Sequence, residues 1–251
     1  ISEGYKEVTL LGQTVNSYKH LKVGFAQLLR KIAKIEKLER LRFTSPYPVD
    51  FSDDVIKAMS ELNCVCPSIH LPVQSGSETQ LKSMRRGYTV SDFRRLVDKL
   101  RNAIPDIAIS TDIITGFCGE TEKDFLETYN LMQEIRFDFA FMFKYSEREG
   151  TFAFKKMSDD VPEEIKSQRL HQIIKLQEKI SLDINKNYVG NTYPVLIEGK
   201  SRRKSKDGKD RCYGKTPQNK TAVVAGVVTP NTIVDVKIEE CTSHTLYGRL
   251  N

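Results

Sequence analysis

Long hydrophobic runs are missing from this sequence. Nowhere in its 251 residues does an apolar stretch approach the roughly 18 residues of a membrane span. A composition of 39% hydrophobic and 29% charged residues is that of an ordinary soluble chain. No leader pattern is readable at its start either. The chain opens on Ile1 rather than Met, and Glu7-Val8-Thr9-Leu10-Leu11 already reads as a buried strand with no charged-then-apolar signal ahead of it. The expectation is a protein with no membrane-embedded part, cut from a longer one, its length suiting one barrel or two smaller domains.

Cysteine supplies no framework. Cys64, Cys66, Cys118, Cys212 and Cys241 are odd in number and irregularly spaced, which argues against secreted disulfides and suits free thiols in a reducing cytoplasm. Cys64-x-Cys66 lacks the two-residue gap and second pair of a zinc site, and no segment has the three or four close thiolates that hold an iron-sulfur cluster. Gly116-x-x-Gly119-Glu120 lacks the lysine and hydroxyl of a P-loop and reads equally well as a tight strand-to-helix turn.

Positive charge is present, and it is concentrated. Lys200, Arg202, Arg203, Lys204, Lys206, Lys209, Arg211, Lys215 and Lys220 face only Asp207 and Asp210 within 21 residues, so this segment carries +7 of the net +6 and the rest of the chain −1. Such a cluster, with glycine and little apolar content, suits phosphate-backbone binding, where each neutralised phosphate releases counterions. A lysine-rich solvated loop is the alternative.

Up to about residue 160, short apolar runs alternate with longer amphipathic ones, which predicts repeated strand-helix units and a parallel sheet, an α/β fold. Five strands are expected, at Lys6–Leu11, Leu41–Thr44, Ser68–Val73, Ile107–Thr111 and Phe139–Lys144. Helix starts are marked by Ser52, Ser77-x-x-Gln80, Thr89-x-x-Asp92 and Thr121-x-x-Asp124. Val161-Pro162-Glu163-Glu164 opens a long helix with Ile173, Leu176, Ile180, Ile184 and Tyr188 on its buried face, expected to close the barrel and lead out of it. Residues 189–251 turn to short β-prone runs, Tyr193–Glu198, Thr221–Ala225 and Thr232–Ile238, and are expected to form a small all-β barrel.

Active sites of (β/α) barrels gather at the carboxyl ends of strands. Polar residues follow an apolar run five times here: Gln13 and Asn16; Ser45; Gln74 and Ser75; Asp112 and Thr115; Tyr145, Ser146 and Arg148. All are expected to point into one cavity. Amides, hydroxyls and one carboxylate can bind a zwitterionic, ribose-bearing ligand but contain no general-base histidine or nucleophilic triad, so the set reads as a cofactor clamp. His70, inside an apolar strand, reads as a packed, hydrogen-bonded histidine. Taken singly, Gln74 or Asn16 is more readily a loop cap, and the reading rests on the set.

Leu10-Leu11-Gly12-Gln13-Thr14-Val15-Asn16-Ser17-Tyr18, Arg42-Phe43-Thr44-Ser45, His70-Leu71-Pro72-Val73-Gln74-Ser75-Gly76-Ser77, Met84-x-Arg86-x-Tyr88-Thr89, Ser110-Thr111-Asp112-x-Ile114-x-Gly116-Phe117-x-Gly119-Glu120-Thr121 and Tyr145-Ser146-x-Arg148-x-Gly150-Thr151 resemble, in order, the motifs of the radical S-adenosylmethionine (SAM) methylthiotransferases. The tail resembles the RNA-binding TRAM domain of that family, and Gly12-Gln13-x-Val15-Asn16 resembles its MiaB branch, transferases that add a methylthio group to carbon 2 of isopentenyladenosine beside the tRNA anticodon. The resemblance implies a partial (β/α) radical-SAM barrel over residues 1–188, lacking its first strand and cluster loop, then a TRAM-like barrel over 189–251. It implies SAM and two 4Fe-4S clusters as cofactors, with tRNA and an electron-donor protein as partners. Carried over position by position, Gln13, Asn16, Ser45, Gln74, Ser75, Arg86 and Asp112 are candidates for contacts to SAM, Arg86 by its charge and fork geometry toward the carboxylate. Phe117 is the candidate for packing on the adenine, and Tyr145 and Arg148 fall on the substrate side. Arg202, Arg203, Lys204, Lys206, Lys209 and Arg211 are candidates for RNA contact.

Two departures matter. The three-cysteine cluster signature and the upstream cluster domain are absent, so the chain as it stands is expected neither to hold the catalytic cluster nor to turn over. Cys118 stands where the family usually has proline. Alternatives kept open are methylthiolation of a ribosomal protein or of another tRNA nucleoside, and an RNA-binding module alone. An aldolase-like barrel predicts a catalytic lysine or metal triad at the strand ends, which the sequence does not offer.

Overall fold

A computed structural model describes residues 1–44, 46–202, 208 and 210–251. Of the candidates above, Ser45, Arg203, Lys204, Lys206 and Lys209 lie outside the described residues. The first part of the chain runs β1 (Glu7–Leu10), β2 (Lys19–His20), β3 (Val23–Gly24), α1 (Phe25–Ile32), β4 (Arg40–Phe43), α2 (Asp53–Glu61), β5 (Ser68–His70), α3 (Glu78–Ser83), α4 (Val90–Ala103), β6 (Ala108–Thr115), α5 (Glu122–Ile135) and β7 (Phe139–Lys144), then α6 (Phe152–Lys156) and α7 (Glu163–Lys186). β1 pairs in parallel with β4. A bridge between Leu41 and Val65 links β4 to the next segment, and β5, β6 and β7 pair in parallel in that order. Five parallel strands therefore follow one another in sequence order as a mixed α/β, partial-barrel arrangement, as expected.

Local chemistry explains the helix starts. Ser52, Ser77, Thr89 and Thr121 each accept a hydrogen bond from the backbone N–H three residues on, and Asp92 and Asp124 return the bond as capping boxes. Strand alternation explains the layering. Leu41, Phe43, Ile69, Ile109, Ile113 and Ala140 point to the helices and join one core with Phe93, Phe125, Leu131 and Met132. The other face carries Thr9, Arg42, Ser68, His70, Ser110 and Phe141, which line an open concavity.

Two expectations are revised. β6 runs on to Thr115 rather than stopping at Thr111, because residues 110–115 keep their pairing with β7; Asp112 is thus a strand residue. The long helix α7 does not close the sheet. It packs beside β7, where Gln177 donates to the Phe137 carbonyl (2.7 Å) and Ser181 to the Asp138 carbonyl (3.0 Å), with Ile173, Leu176 and Ile180 buried.

Beyond α7 lie β8 (Thr192–Lys200), β9 (Arg211–Lys215), β10 (Thr221–Ala225), β11 (Ile233–Cys241) and β12 (Thr245–Leu250), closed into a barrel in the order β10-β12-β11-β8-β9. Its core is Val195, Ile197, Cys212, Ala222, Val224, Val236, Ile238 and Leu246. Three of these strands were expected. β9 and β12 were not legible because each places a glycine inward where alternation calls for an apolar residue. A Cβ at Gly214 would sit 2.0 Å from the Leu196 carbonyl oxygen, so the close strand approach requires glycine.

The two units are joined by polar contacts. Arg40 donates to the carbonyls of Lys215 (2.7 Å) and Pro194 (2.8 Å), and Arg42 to those of Thr216 and Pro217 (2.9 Å each). Lys220 pairs with Asp138 at 2.7 Å, and Asn185 donates to the Thr242 carbonyl at 2.8 Å. Among the described residues no helix is long and apolar enough to cross a membrane.

Candidate functional site

A cavity of about 540 Å³ opens at the carboxyl ends of β6 and β7, within the size range of small-molecule sites. Gln74, Arg86, Asp112 and Phe117 line it, with Tyr145, Ser146 and Arg148 on the β7 side and Thr151, Phe152 and Ala153 across from them. Four of the eight cofactor candidates are thus brought together with both substrate-side candidates.

Each is held from behind. Gln74 stands in the left-handed region (φ 69°), a conformation costing a non-glycine residue of order 1 kcal/mol. Its N–H donates to the Asp112 carbonyl and its carbonyl accepts from Ile114, at 2.8 and 2.9 Å. The loop before it is pinned by Tyr88, whose hydroxyl donates to the carbonyls of Pro72 and Val73, and by the Thr111 hydroxyl, which accepts from the Val73 N–H at 3.0 Å. Burial pushes the Tyr88 hydroxyl up to about 12, so it remains a donor. Asp112 receives His70 Nε2 at 3.3 Å, while His70 Nδ1 meets the Ser110 hydroxyl at 3.0 Å. His70 is therefore a packed, hydrogen-bonded histidine, as its strand position suggested.

Arg86 carries the clearest ligand signal: its Nε is buried with no hydrogen-bond partner. A buried guanidinium N–H without an acceptor is costly unless an anionic ligand supplies one. On the opposite wall Phe117 packs edge-on to Tyr145 at 4.8 Å. The Tyr145 hydroxyl lies beside the Cys118 thiol, and burial pushes it up to about 12. The turn beneath is Gly116-x-x-Gly119-Glu120. The Gly116 N–H donates to Glu120 Oε2 at 2.7 Å, and Arg169 reaches the same oxygen at 2.8 Å. Burial raises the Glu120 carboxyl, with the Gly116 N–H and Arg169 opposing it. The glycine-rich motif is thus a structural turn.

The expectation of one cavity for all strand-end residues does not hold. Gln13 is exposed on the loop after β1. Asn16 is buried and spends its amide on the Tyr47 backbone, donating to the carbonyl (2.9 Å) and accepting from the N–H (2.7 Å). The Tyr47 hydroxyl in turn accepts from the Gly87 N–H at 3.1 Å, which ties Asn16 indirectly to the loop carrying Arg86. The Ser75 hydroxyl is fully buried against Thr128 at 3.0 Å. Thr115 is buried as well. In the tail, Arg202 is exposed and Arg211 lies 6.0 Å from the Tyr247 ring.

Sequence reasoning passed over Arg85, whose guanidinium stacks on Phe152 at 3.3 Å and ties the end of α3 to α6 across the cavity. It also passed over the inter-unit contacts of Arg40 and Arg42, although arginines alternating with apolar residues in a buried strand were a visible signal. All five cysteines are free, and burial raises Cys66 to about 11. Among the described residues no group of His, Cys, Asp or Glu could hold a metal ion. The cavity's donor set fits SAM, and the chain's described residues do not fit an iron-sulfur cluster.

Comparison with known proteins agrees with this geometry. The radical SAM superfamily matches residues 1–132 and the TRAM domain residues 186–250. The tRNA-2-methylthio-N(6)-dimethylallyladenosine synthase of Carboxydothermus hydrogenoformans is 48% identical over 100% of this chain and 57% of that protein. The protein of the same name in Porphyromonas gingivalis is 44% identical over 99% of the chain and 54% of its own length. The chain spans about half the length of these curated relatives. Coproporphyrinogen III oxidase from Escherichia coli, a radical SAM enzyme, superposes with a TM-score of 0.57 at 12% identity, covering 84% of this chain and 54% of its own, a likeness of fold alone. With these matches and the strand-end cavity together, the chain belongs to the radical SAM superfamily and carries a TRAM domain at its C-terminal end.

Proposed function

We propose that this chain is the C-terminal part of a tRNA methylthiotransferase, adding a methylthio group to carbon 2 of isopentenyladenosine next to the anticodon. The observation that carries the reading is identity of 44 to 48% along essentially the whole chain to synthases of that name. The buried, unpartnered Nε of Arg86 in the strand-end cavity supports the SAM-binding part of the reading.

In this reading Arg86 binds the carboxylate of SAM through its forked N–H groups. Asp112, held by His70, accepts hydrogen bonds from the ligand's hydroxyl or ammonium groups. Gln74 supplies a directional amide and Phe117 an apolar wall for the adenine. Tyr145 and Arg148 face the substrate, while Arg202 and Arg211, with Arg203, Lys204, Lys206 and Lys209 from outside the described residues, meet the RNA backbone. Gln13 and Ser45 are candidates from the resemblance alone, while Asn16 and Ser75 act by holding loops rather than by touching the ligand. SAM held by these residues would supply radical chemistry, since one-electron reductive cleavage from a cluster held elsewhere would release methionine and a 5′-deoxyadenosyl radical. The barrel portion is placed at 1–188 and the RNA-binding barrel at 189–251, with tRNA and an electron-donor protein as partners in the cytoplasm.

The test is nucleoside mass spectrometry of total tRNA from cells with and without the gene. Loss of methylthio-isopentenyladenosine with accumulation of its unthiolated precursor is expected; unchanged levels of both would overturn the reading.

A further inference from the structure

β7 is an edge strand of the parallel sheet, and it presents Phe139, Phe141 and Phe143 on one face, exposed at 39%, 49% and 53%. In this chain, which spans about half the length of its relatives, the three rings form an apolar row open to contact. The row connects two cavities. Phe143 lines the candidate SAM cavity, whereas Phe139 and Phe141 line a second one of about 590 Å³ between the sheet and the TRAM barrel. Phe139 and Phe141 meet edge-to-face at 4.9 Å, Phe141 packs on His70 at 5.7 Å, and Phe139 faces His244 of the TRAM barrel at 6.5 Å.

We propose that this ladder is a stacking track for unpaired RNA bases, leading from the TRAM barrel to the SAM cavity. The proposal rests on the tRNA reading above and names where the unpaired loop lies. The Phe139–Phe141 pair, in edge-to-face contact, forms one platform whose open ring faces can stack an opened base, and Phe143 offers a second. Hydrogen-bonding groups stand beside the rings, namely the hydroxyls of Ser68 and Ser110 and the side chain of Gln218. Gln218 Oε1 is buried with no hydrogen-bond partner. The exocyclic amine of a base laid on the ladder would meet that acceptor. Aromatic faces alternating with polar groups are the chemistry by which single-stranded bases are bound. Lys215 stands at the rim and donates to the Thr221 hydroxyl, while the neighbouring Lys220 is paired with Asp138.

The 251-residue chain would be titrated with an RNA stem-loop carrying 5-iodouridine in the loop, and with a loop-free duplex of equal charge. Irradiation is expected to cross-link the loop base to Phe139 or Phe141, located by peptide mass spectrometry. Phe141→Ala is expected to weaken loop binding about 5- to 100-fold. Phe141→Leu, which keeps apolar bulk and loses the ring, loses nearly as much; Phe141→Tyr retains binding; duplex affinity is unchanged. Because Phe141 is half exposed, thermal melts of the variants are expected to match the parent. Loop binding that survives Phe139→Ala and Phe141→Ala, with cross-links elsewhere, would overturn the ladder and leave the tRNA reading standing. Equal losses for loop and duplex would also overturn it, as general distortion. Absence of any RNA binding by the parent chain would remove both.

Discussion

Arg42→Ala would remove a guanidinium that is 9% exposed and donates four hydrogen bonds: to Glu7 Oε2 (2.9 Å), the Ser68 hydroxyl (2.7 Å), and the carbonyls of Thr216 and Pro217. Bonds from a charged donor contribute about 1.5–3 kcal/mol each, but the four share one side chain and do not add. Glu7 is also partly exposed, and water enters the space the arginine leaves. Breaking a buried ion pair by deleting one partner costs about 3–5 kcal/mol, and that is the expected loss. For a chain of this length it lowers Tm by roughly 6–20 °C. Arg42→Lys keeps the charge without the fork and recovers less than half. Thermal melting with amide hydrogen exchange reads both effects: exchange should accelerate across residues 215–220, while the TRAM core strand β10 stays protected. A variant melting within 2 °C of the parent (~0.5 kcal/mol), with unchanged exchange at 215–220, would refute the idea that Arg42 fastens the two units.

Asp124 tests the acid limb of stability. Burial pushes its carboxyl up, but hydrogen bonds from Ser77 and Thr121 outweigh burial and hold it below the usual range. Its contribution is therefore present above about pH 4 and lost as pH falls through the folded value. Asp124→Asn is expected to cost about 1–3 kcal/mol at pH 7 and to flatten the decline below pH 4; urea midpoints at pH 3 to 7 check this, and parallel acid limbs would count against it. Gly116 and Gly119 form a matched pair. Both have positive φ (70° and 71°), but a Cβ at Gly116 would meet Lys166 Cγ at 2.3 Å while Gly119 faces open space. Gly119→Ala should cost about 1 kcal/mol and Gly116→Ala about 2–4 kcal/mol, so equal losses in chemical denaturation would show that the clash is relieved.

The legible parts of the fold were those set by short-range chemistry. Ser52, Ser77, Thr89 and Thr121 were readable as caps because cap and first turn are neighbours in sequence, and the five parallel strands because alternation is local. Contacts across long separations were not legible. Asn16 reads as a strand-end ligand residue until Tyr47, 31 positions on, takes both ends of its amide. Ser75 does likewise until Thr128 turns its hydroxyl inward. Asp112 looked like a loop residue because the continued pairing of β6 with β7 has no local mark. Arg86 came from a motif rather than from periodicity, and its buried unpartnered Nε could be found only in three dimensions.

The most direct measurement is amide hydrogen exchange of this chain with and without saturating SAM, repeated on Arg86→Met. The account predicts protection at residues 74–76, 84–88 and 112–118, and at least a tenfold weaker half-maximal SAM concentration in the variant, about 1.4 kcal/mol. Protection confined to other segments, or an Arg86→Met variant that binds SAM as the parent does, would contradict the assignment of the strand-end cavity to SAM.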